Sequence, residues 1–262
     1  MSMGLPGLLL EWLTPWHDWW MPANAAQHGA VLDAQMRQSL GWMIGLLILA
    51  HGILIVGWIR RRGHAKAESP RTMRAVSPWT AGAFFFVALL FTFLVLRAEK
   101  LWAANRFQGA SPEAMQVEVV GEQFAWYFRY PGPDARFGAV KPALANAAEG
   151  NPLGLDPADA SGKDDIVTSE LVLPVGHEVD LQIRSLDVVH GLFIPAMRLK
   201  QNALPGSTLH VHFTPVVVGE YPIVCSQVCG SGHYRMEAKL RVVSPSDFAQ
   251  WMAAESKQRM QP

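Results

Sequence analysis

Hydrophobic positions fall along this chain in two different rhythms. From Leu40 to Ile59 the sequence LGWMIGLLILAHGILIVGWI runs without a formal charge, and WTAGAFFFVALLFTFLVL does the same from Trp79 to Leu96. At ~1.5 Å per residue, about 20 such residues span the ~30 Å hydrocarbon core of a bilayer, so each stretch predicts a membrane helix. After Leu96 the chain turns polar, and apolar residues begin to alternate with polar ones. Val117 and Val119 do so in VEV, Val179, Leu181 and Ile183 in VDLQIR, Leu209, Val211 and Phe213 in LHVHF, and Ala238, Leu240 and Val242 in EAKLRV. Alternation marks half-buried strands. Short strands between Gly and Pro turns, with no helical period among them, predict an all-β sandwich or barrel.

Two stretches depart from these rhythms. Gly138 to Asp165, GAVKPALANAAEGNPLGLDPADASGKDD, follows neither period and reads as a disorder-prone insertion. Near the end, Ser244 offers a capping hydroxyl, Pro245 a first helical position and Asp247 an acid beside the positive helix end; Phe248, Trp251 and Met252 then share one face of a short helix. The pattern divides the chain into an N-terminal extracytoplasmic or interfacial segment, 1–36, a transmembrane helical hairpin, 37–103, with helices at about 40–59 and 79–96, and an extracytoplasmic domain, 104–262.

Charge orients this arrangement. Between the two apolar stretches lie Arg60, Arg61, Arg62, Lys66, Arg71 and Arg74 against one acid, Glu68. Positive residues at helix ends mark the cytoplasmic side, which puts both termini and the large domain outside. Trp12, Trp16, Trp19 and Trp20 suit a membrane interface, and MSMGLPGLLLEWLTP lacks the basic start of a cleaved signal peptide. Net charge is zero over the 262 residues, which does not suggest a nucleic-acid partner. From Ala104 onward 17 acidic residues face 13 basic ones, a mild excess that could steer a basic soluble partner or simply solvate the surface.

The candidate chemistry sits in CSQVCGSGHYRM, Cys225 to Met236, which holds both cysteines of the chain. An exported domain favours a disulfide, but partners only four positions apart strain a bridge, and a bridge leaves the following His and Met unexplained. Metal binding accounts for more. Thiolate, imidazole and thioether are soft or borderline ligands that select copper, whereas methionine is a poor zinc ligand and paired C-x2-C spacings are absent. A single-copper electron-transfer site needs one cysteine, two histidines and a weak methionine. The second cysteine here would allow two thiolates to bridge two coppers. A second imidazole must come from elsewhere, and His190, in SLDVVHGLF after the strand that ends at Ser185, is the best candidate.

SLDVVHGLFIPAMRLKQNALPG, GEYPIVCSQVCGSGHYRM, the aromatic block GEQFAWYFRYPGP and the preceding helical hairpin together resemble subunit II of the haem-copper cytochrome c oxidases, over about Leu40 to Val243. The resemblance implies a cupredoxin-like sandwich or barrel with a binuclear copper centre, CuA. Cys225 and Cys229 would bridge the coppers, His190 and His233 would each hold one, Met236 would be a weak axial ligand, and Gln227 would lend its backbone carbonyl. Phe124 and Trp126 would serve electron entry. The implied partners are the catalytic subunit I, subunit III, a c-type cytochrome and the lipid bilayer, in a bacterial-type cytoplasmic membrane with the copper domain on the periplasmic side.

The chain also departs from the family pattern. Gln227 and Asn202 stand where many relatives carry acids that help to hold Mg or Mn at the boundary with subunit I, so that ion is expected to be weak or absent. Phe124 stands where a tryptophan is usual, and Arg129 where an acid is common, which should weaken docking of a strongly basic cytochrome. His210 and His212 share a strand face and read as exposed side chains, and His177 reads as turn punctuation. His51, at mid-membrane depth, reads as a neutral imidazole bonded to a neighbouring helix.

The expected function is that of an electron-entry subunit of a terminal oxidase, an oxidoreductase and translocase complex in which this chain does not itself reduce oxygen. Two alternatives stand beside it. A CuA-bearing nitric oxide reductase would keep the copper and change the acceptor, and a copper-binding or assembly protein would release the metal readily.

Overall fold

The computed structural model describes residues 21–62 and 78–259. The tryptophans at 12–20 and most of the basic linker lie outside the described residues. Val31–Phe107 forms one compact unit, and the chain from Gln108 onward forms a second together with the segment that ends at Ala30.

The first unit contains two helices, α1 (Gly29–Arg61) and α2 (Pro78–Arg106). Both are long and apolar enough to cross a membrane, and within the chain neither buries its most apolar stretch. They extend past the uncharged runs at 40–59 and 79–96. Helix propagation costs little once a nucleus exists, so the polar flanks continue the coil, and a 33-residue helix of about 50 Å is longer than the hydrocarbon core. His51 Nδ1 lies 2.8 Å from the Leu47 carbonyl. The imidazole is thus bonded within its own helix, not to the neighbouring one.

The second unit is an all-β sandwich closed by one helix. Its strands are β1 (Met115–Glu122), β2 (Ala125–Tyr130), β3 (Ile166–Thr168), β4 (Glu170–Pro174), β5 (Val179–Ser185), β6 (His190–Ile194), β7 (Leu199–Ala203), β8 (Leu209–Phe213), β9 (Gly219–Cys225) and β10 (Glu237–Val243), followed by α3 (Pro245–Arg259). They form two five-stranded sheets in the orders β3-β2-β1-β5-β8 and β4-β10-β9-β6-β7. The pairs β1 with β5 and β4 with β10 are parallel, and the other ladders are antiparallel.

Alternation decides which face of each sheet turns inward. Val117, Val119, Phe128, Leu181, Ile183 and Val211 from one sheet meet Leu171, Leu173, Leu192, Ile223 and Leu240 from the other in one core. Phe248 and Trp251 of α3 pack against Tyr130, with the Trp251 ring 5.0 Å from it, and Ser244 Oγ accepts from the Asp247 N–H as the sequence pattern predicts. The Tyr130 hydroxyl donates to the Val172 carbonyl and accepts from the Val172 N–H. Strand β4 is a sheet edge, so this phenol satisfies backbone groups that no neighbouring strand can reach. Burial drives its pKa upward, which keeps the donor proton in place.

Arg129 differs from the expectation of an exposed docking residue. It is 1% exposed, on the β2 face opposite the core, because the 138–165 segment folds over it. Its guanidinium donates to both Asp165 and the Gly138 carbonyl, pairs with Glu118 at 3.2 Å and lies over the Phe137 ring. Glu118 is shared with Arg184 at 2.6 Å. Burial pushes the Asp165 carboxyl up, and the adjacent Arg129 pulls it back only in part.

These contacts replace the expected disorder with a fixed path. Lys141 N–H donates to Gly154 O, Asp156 N–H to Ala139 O, and Lys141 pairs with Asp156 at 2.6 Å. Gly138 and Gly162 cross so closely that a Cβ on Gly138 would lie 2.1 Å from the Gly162 Cα. Arg129→Ala strands the buried Asp165 carboxylate, while Glu118 keeps Arg184, and should cost about 3–5 kcal/mol. Faster proteolytic cleavage inside 138–165 is the expected readout, and wild-type cleavage kinetics would show that Arg129 does not hold the segment.

Candidate metal centre

The loop from Cys225 to Met236 begins at the end of β9 and returns at the start of β10, two strands already paired with Val224 opposite Glu237. Cys225 N–H donates to the Met236 carbonyl at 3.0 Å, so the ladder runs one step into the loop and brings its ends together. Strand β6 lies on the other side of β9, with Leu192 opposite Cys225. Ser226 N–H donates to the Gly191 carbonyl at 2.8 Å. These pairings bring His190 to the thiols across 35 residues of sequence.

The donor atoms converge. One ligand atom each from His190, Cys225 and Cys229 lie within 4.8 Å of one another, and all three residues are buried. The two sulfurs are 3.9 Å apart. Cys229 Sγ is 3.7 Å from Met236 Sδ and 3.8 Å from His233 Nδ1, and the Cys225 thiol donates to the Gln227 carbonyl at 3.2 Å. Both cysteines are free thiols. Each of the six residues singled out from the sequence therefore contributes an atom to one small volume. In His190, which is 0% exposed, Nε2 is engaged by Asp187 Oδ1 at 2.9 Å, while Nδ1 is buried and has no hydrogen-bond partner. A buried nitrogen of that kind costs about 1–3 kcal/mol unless something pairs with it, and a soft cation beside two sulfurs would do so.

The acidic groups around these atoms shift in opposite directions. Burial pushes the Cys229 thiol up to about 11, and the adjacent Cys225 pushes in the same direction. Asp187 moves the other way: burial alone would raise it, but hydrogen bonds from His190, Val188 N–H and Gln123 N–H outweigh that and hold its carboxyl below the ordinary range.

Asp187 and Gln123 are supporting residues that the sequence reading did not single out. Asp187 offered a signal, a carboxylate three residues before a candidate ligand. Gln123 offered none. Its backbone N–H donates to Asp187 and its side chain to the Cys229 carbonyl, so it ties the β1–β2 turn to both sides of the centre. Gly121 also matters, since a Cβ there would lie 2.9 Å from the His190 ring.

The two aromatic candidates separate by depth. Trp126 is 2% exposed and meets the His190 ring edge-on at 5.9 Å. Phe124 is 37% exposed and lies on the loop's backbone, where Cβ atoms on Gly230 or Gly232 would run into its ring. His210 and His212 lie apart from this centre, bonded to Asp180 and Glu178 across the β5–β8 ladder, and His177 stays at its turn against the Val175 carbonyl.

The chain is similar to known cytochrome c oxidase subunits II. The family model for the periplasmic domain of cytochrome c oxidase subunit II matches residues 115–243. The alternative cytochrome c oxidase subunit 2 of Bradyrhizobium diazoefficiens is 28% identical over 257 residues, 96% of this chain and 88% of that protein. Cytochrome c oxidase subunit 2 of Thermostichus vulcanus is 35% identical over 149 residues, 57% of this chain and 36% of that protein. The chain thus spans most of the first relative and about a third of the second. Among solved structures, the periplasmic domain of subunit II of cytochrome oxidase (CoxB) of Bradyrhizobium japonicum is 25% identical, covers 57% of this chain and 99% of that one, and superposes with a TM-score of 0.42.

Asp187→Ala frees the His190 ring while leaving every sulfur in place. Metal affinity of the group is expected to fall about tenfold or more, the usual effect of removing the carboxylate behind a ligating histidine. Competition with a copper chelator measures it, and an unchanged affinity would mean that the ring is fixed without Asp187.

Proposed function

The chain belongs to the cytochrome c oxidase subunit II family, and from that premise we propose that its outer domain is the electron-entry point of a haem-copper oxidase. It would hold binuclear copper, accept electrons from a c-type cytochrome and pass them to haem in a catalytic subunit. The observation that carries the reading is the buried, unpartnered Nδ1 of His190 beside two free thiols. Zinc would not use the thioether of Met236, and a hard cation would not choose sulfur, so the donor set favours copper.

Each side chain has a task in this reading. Cys225 and Cys229 would bridge the two metals, His190 and His233 would each hold one, Met236 would be a weak ligand, and Gln227 would offer only its carbonyl. Bound copper would take up and release single electrons. The residues around it would keep the ligands still during that exchange, through Asp187 on the imidazole and the β9–β10 ladder on the thiols. Trp126, edge-on to the His190 ring, and the exposed Phe124 would serve electron entry.

The hard-cation site reads differently. Asn202 pairs with Gly191 across β6 and β7, and the Gly191 carbonyl binds Ser226, the neighbour of Gln227. Two neutral amides in that neighbourhood offer poor ligands to Mg or Mn, so we expect weak binding or none. The helical hairpin would anchor the domain beside subunits I and III in the cytoplasmic membrane, with the β-sandwich on the periplasmic side.

The copper-loaded chain is expected to hold two coppers that share one unpaired electron when oxidised. Cys225→Ser or Cys229→Ser should abolish the shared signal and Gln227→Ala should preserve it; a single-copper signal in the wild type would refute the binuclear assignment. Because Cys229 keeps its proton up to about pH 11, uptake must displace that proton, so apparent affinity should fall about tenfold per pH unit of acidification for each proton displaced. A pH-independent affinity would argue against thiolate ligation. Oxygen uptake by the intact complex, driven by reduced c-type cytochrome and lost on copper removal, tests the oxidase role, and consumption of nitric oxide without oxygen uptake would reassign the acceptor.

A further inference from the structure

Helix α1 carries an ionisable side chain in the middle of an uncharged stretch of membrane-spanning length. His51 is the twelfth of the twenty residues from Leu40 to Ile59, within about 3 Å of their midpoint along the axis. An imidazole is too short to reach either interface, some 15 Å away. Its Nδ1 lies 2.8 Å from the Leu47 carbonyl. A carbonyl only accepts, so Nδ1 carries the proton, and in a neutral ring Nε2 is left as an acceptor. Among the described residues nothing pairs with Nε2, and the side chain faces outward from the chain.

Four possible sources of a donor can be ruled out. Lipid acyl chains have none, and no water is present at that depth. Within Trp79 to Leu96 the side-chain donors are Trp79, Thr80 and Thr92. In an antiparallel hairpin the depth of His51 is matched near Phe85, and the Thr92 hydroxyl already donates to the Ala88 carbonyl. A second copy of α1 in a two-fold contact would bring the same acceptor against itself.

We propose that His51 Nε2 accepts a hydrogen bond from a donor side chain on a membrane helix of a different polypeptide, and that it marks the face by which α1 docks in its complex. This rests on the reading of the chain as a membrane-anchored oxidase subunit. The neighbouring surface suits such a partner. Gly41, Gly45, Ile48, Gly52 and Ile55 follow one another at spacings of four and three, and His51 borders that line three residues after Ile48 and four before Ile55. A Cβ added at Gly41, Gly45 or Gly52 would meet nothing within 4 Å, which leaves room for a second helix backbone to approach.

The test uses the intact complex in its native membrane. Benzoylphenylalanine replaces His51 in one variant and Ile53, on the opposite side of α1 at nearly the same depth, in another. Irradiation should join position 51 to a different polypeptide at least about threefold more often than position 53, which should label lipid. Adducts from 51 with lipid only, adducts with a second copy of this chain, or equal polypeptide yields from both positions would overturn the proposal. Failure of both positions to label either lipid or protein would overturn the membrane reading with it. For the hydrogen bond itself, the detergent concentration that releases the chain should fall in His51→Leu and recover in His51→Gln, which keeps an acceptor. Release at one concentration for all three would refute the bond.

Discussion

One backbone hydrogen bond, from Cys225 N–H to the Met236 carbonyl at 3.0 Å, closes the loop that carries five of the six candidate donors. Twelve residues leave the β9–β10 ladder and return to it one step further on, so their side chains have little choice but to turn back toward a common point. A loop closed on a rigid ladder loses its conformational entropy during folding, before any metal arrives. The same ladder fixes His190. Strand β6 is bound to β9 through Leu192 and Cys225, and a shift of register by one residue would send the imidazole to the opposite face. The donor set is therefore a property of sheet pairing as much as of the CSQVCGSGHYRM sequence.

That division explains what could be read from the chain alone. The inward residues of β1, β5, β8 and β10 follow period two, and the two uncharged helices follow from length and composition, so the sandwich and the hairpin were both legible. The six candidate donors could be picked out because their chemistry is unusual and five of them are close in sequence. Arg129 was not. A charged residue on a strand normally marks a solvated face, and its burial depends on a segment that begins nine residues later and folds back. That segment itself, rich in Ala, Gly, Pro and Asp, has the composition of a disordered run. Its order comes from a crossing of Gly138 and Gly162 and from a carboxylate, Asp165, that becomes meaningful only when opposite Arg129. Contacts between distant ordinary residues leave no local pattern.

The β1–β2 hairpin links that buried ion network to the metal centre. At its tip, Gly121 and Trp126 pack against the His190 ring, Gln123 holds both Asp187 and the Cys229 carbonyl, and Phe124 lies on the glycines of the loop. Three residues back along each strand, Glu118 faces Arg129 in register. At about 3.3 Å per residue, the ion network lies roughly 10 Å from the tip. The charges of Arg129 and Glu118 are thus kept one hairpin length away, where they fasten the base. The tip can then present uncharged groups, namely an indole, a phenyl ring, an amide and a glycine. An electron-transfer centre needs ligands that do not move when charge arrives, and a hairpin clamped by paired charges at one end and packed against the histidine at the other meets that need. On this argument Arg129 serves the centre from a distance, by holding still the strands that hold His190 still.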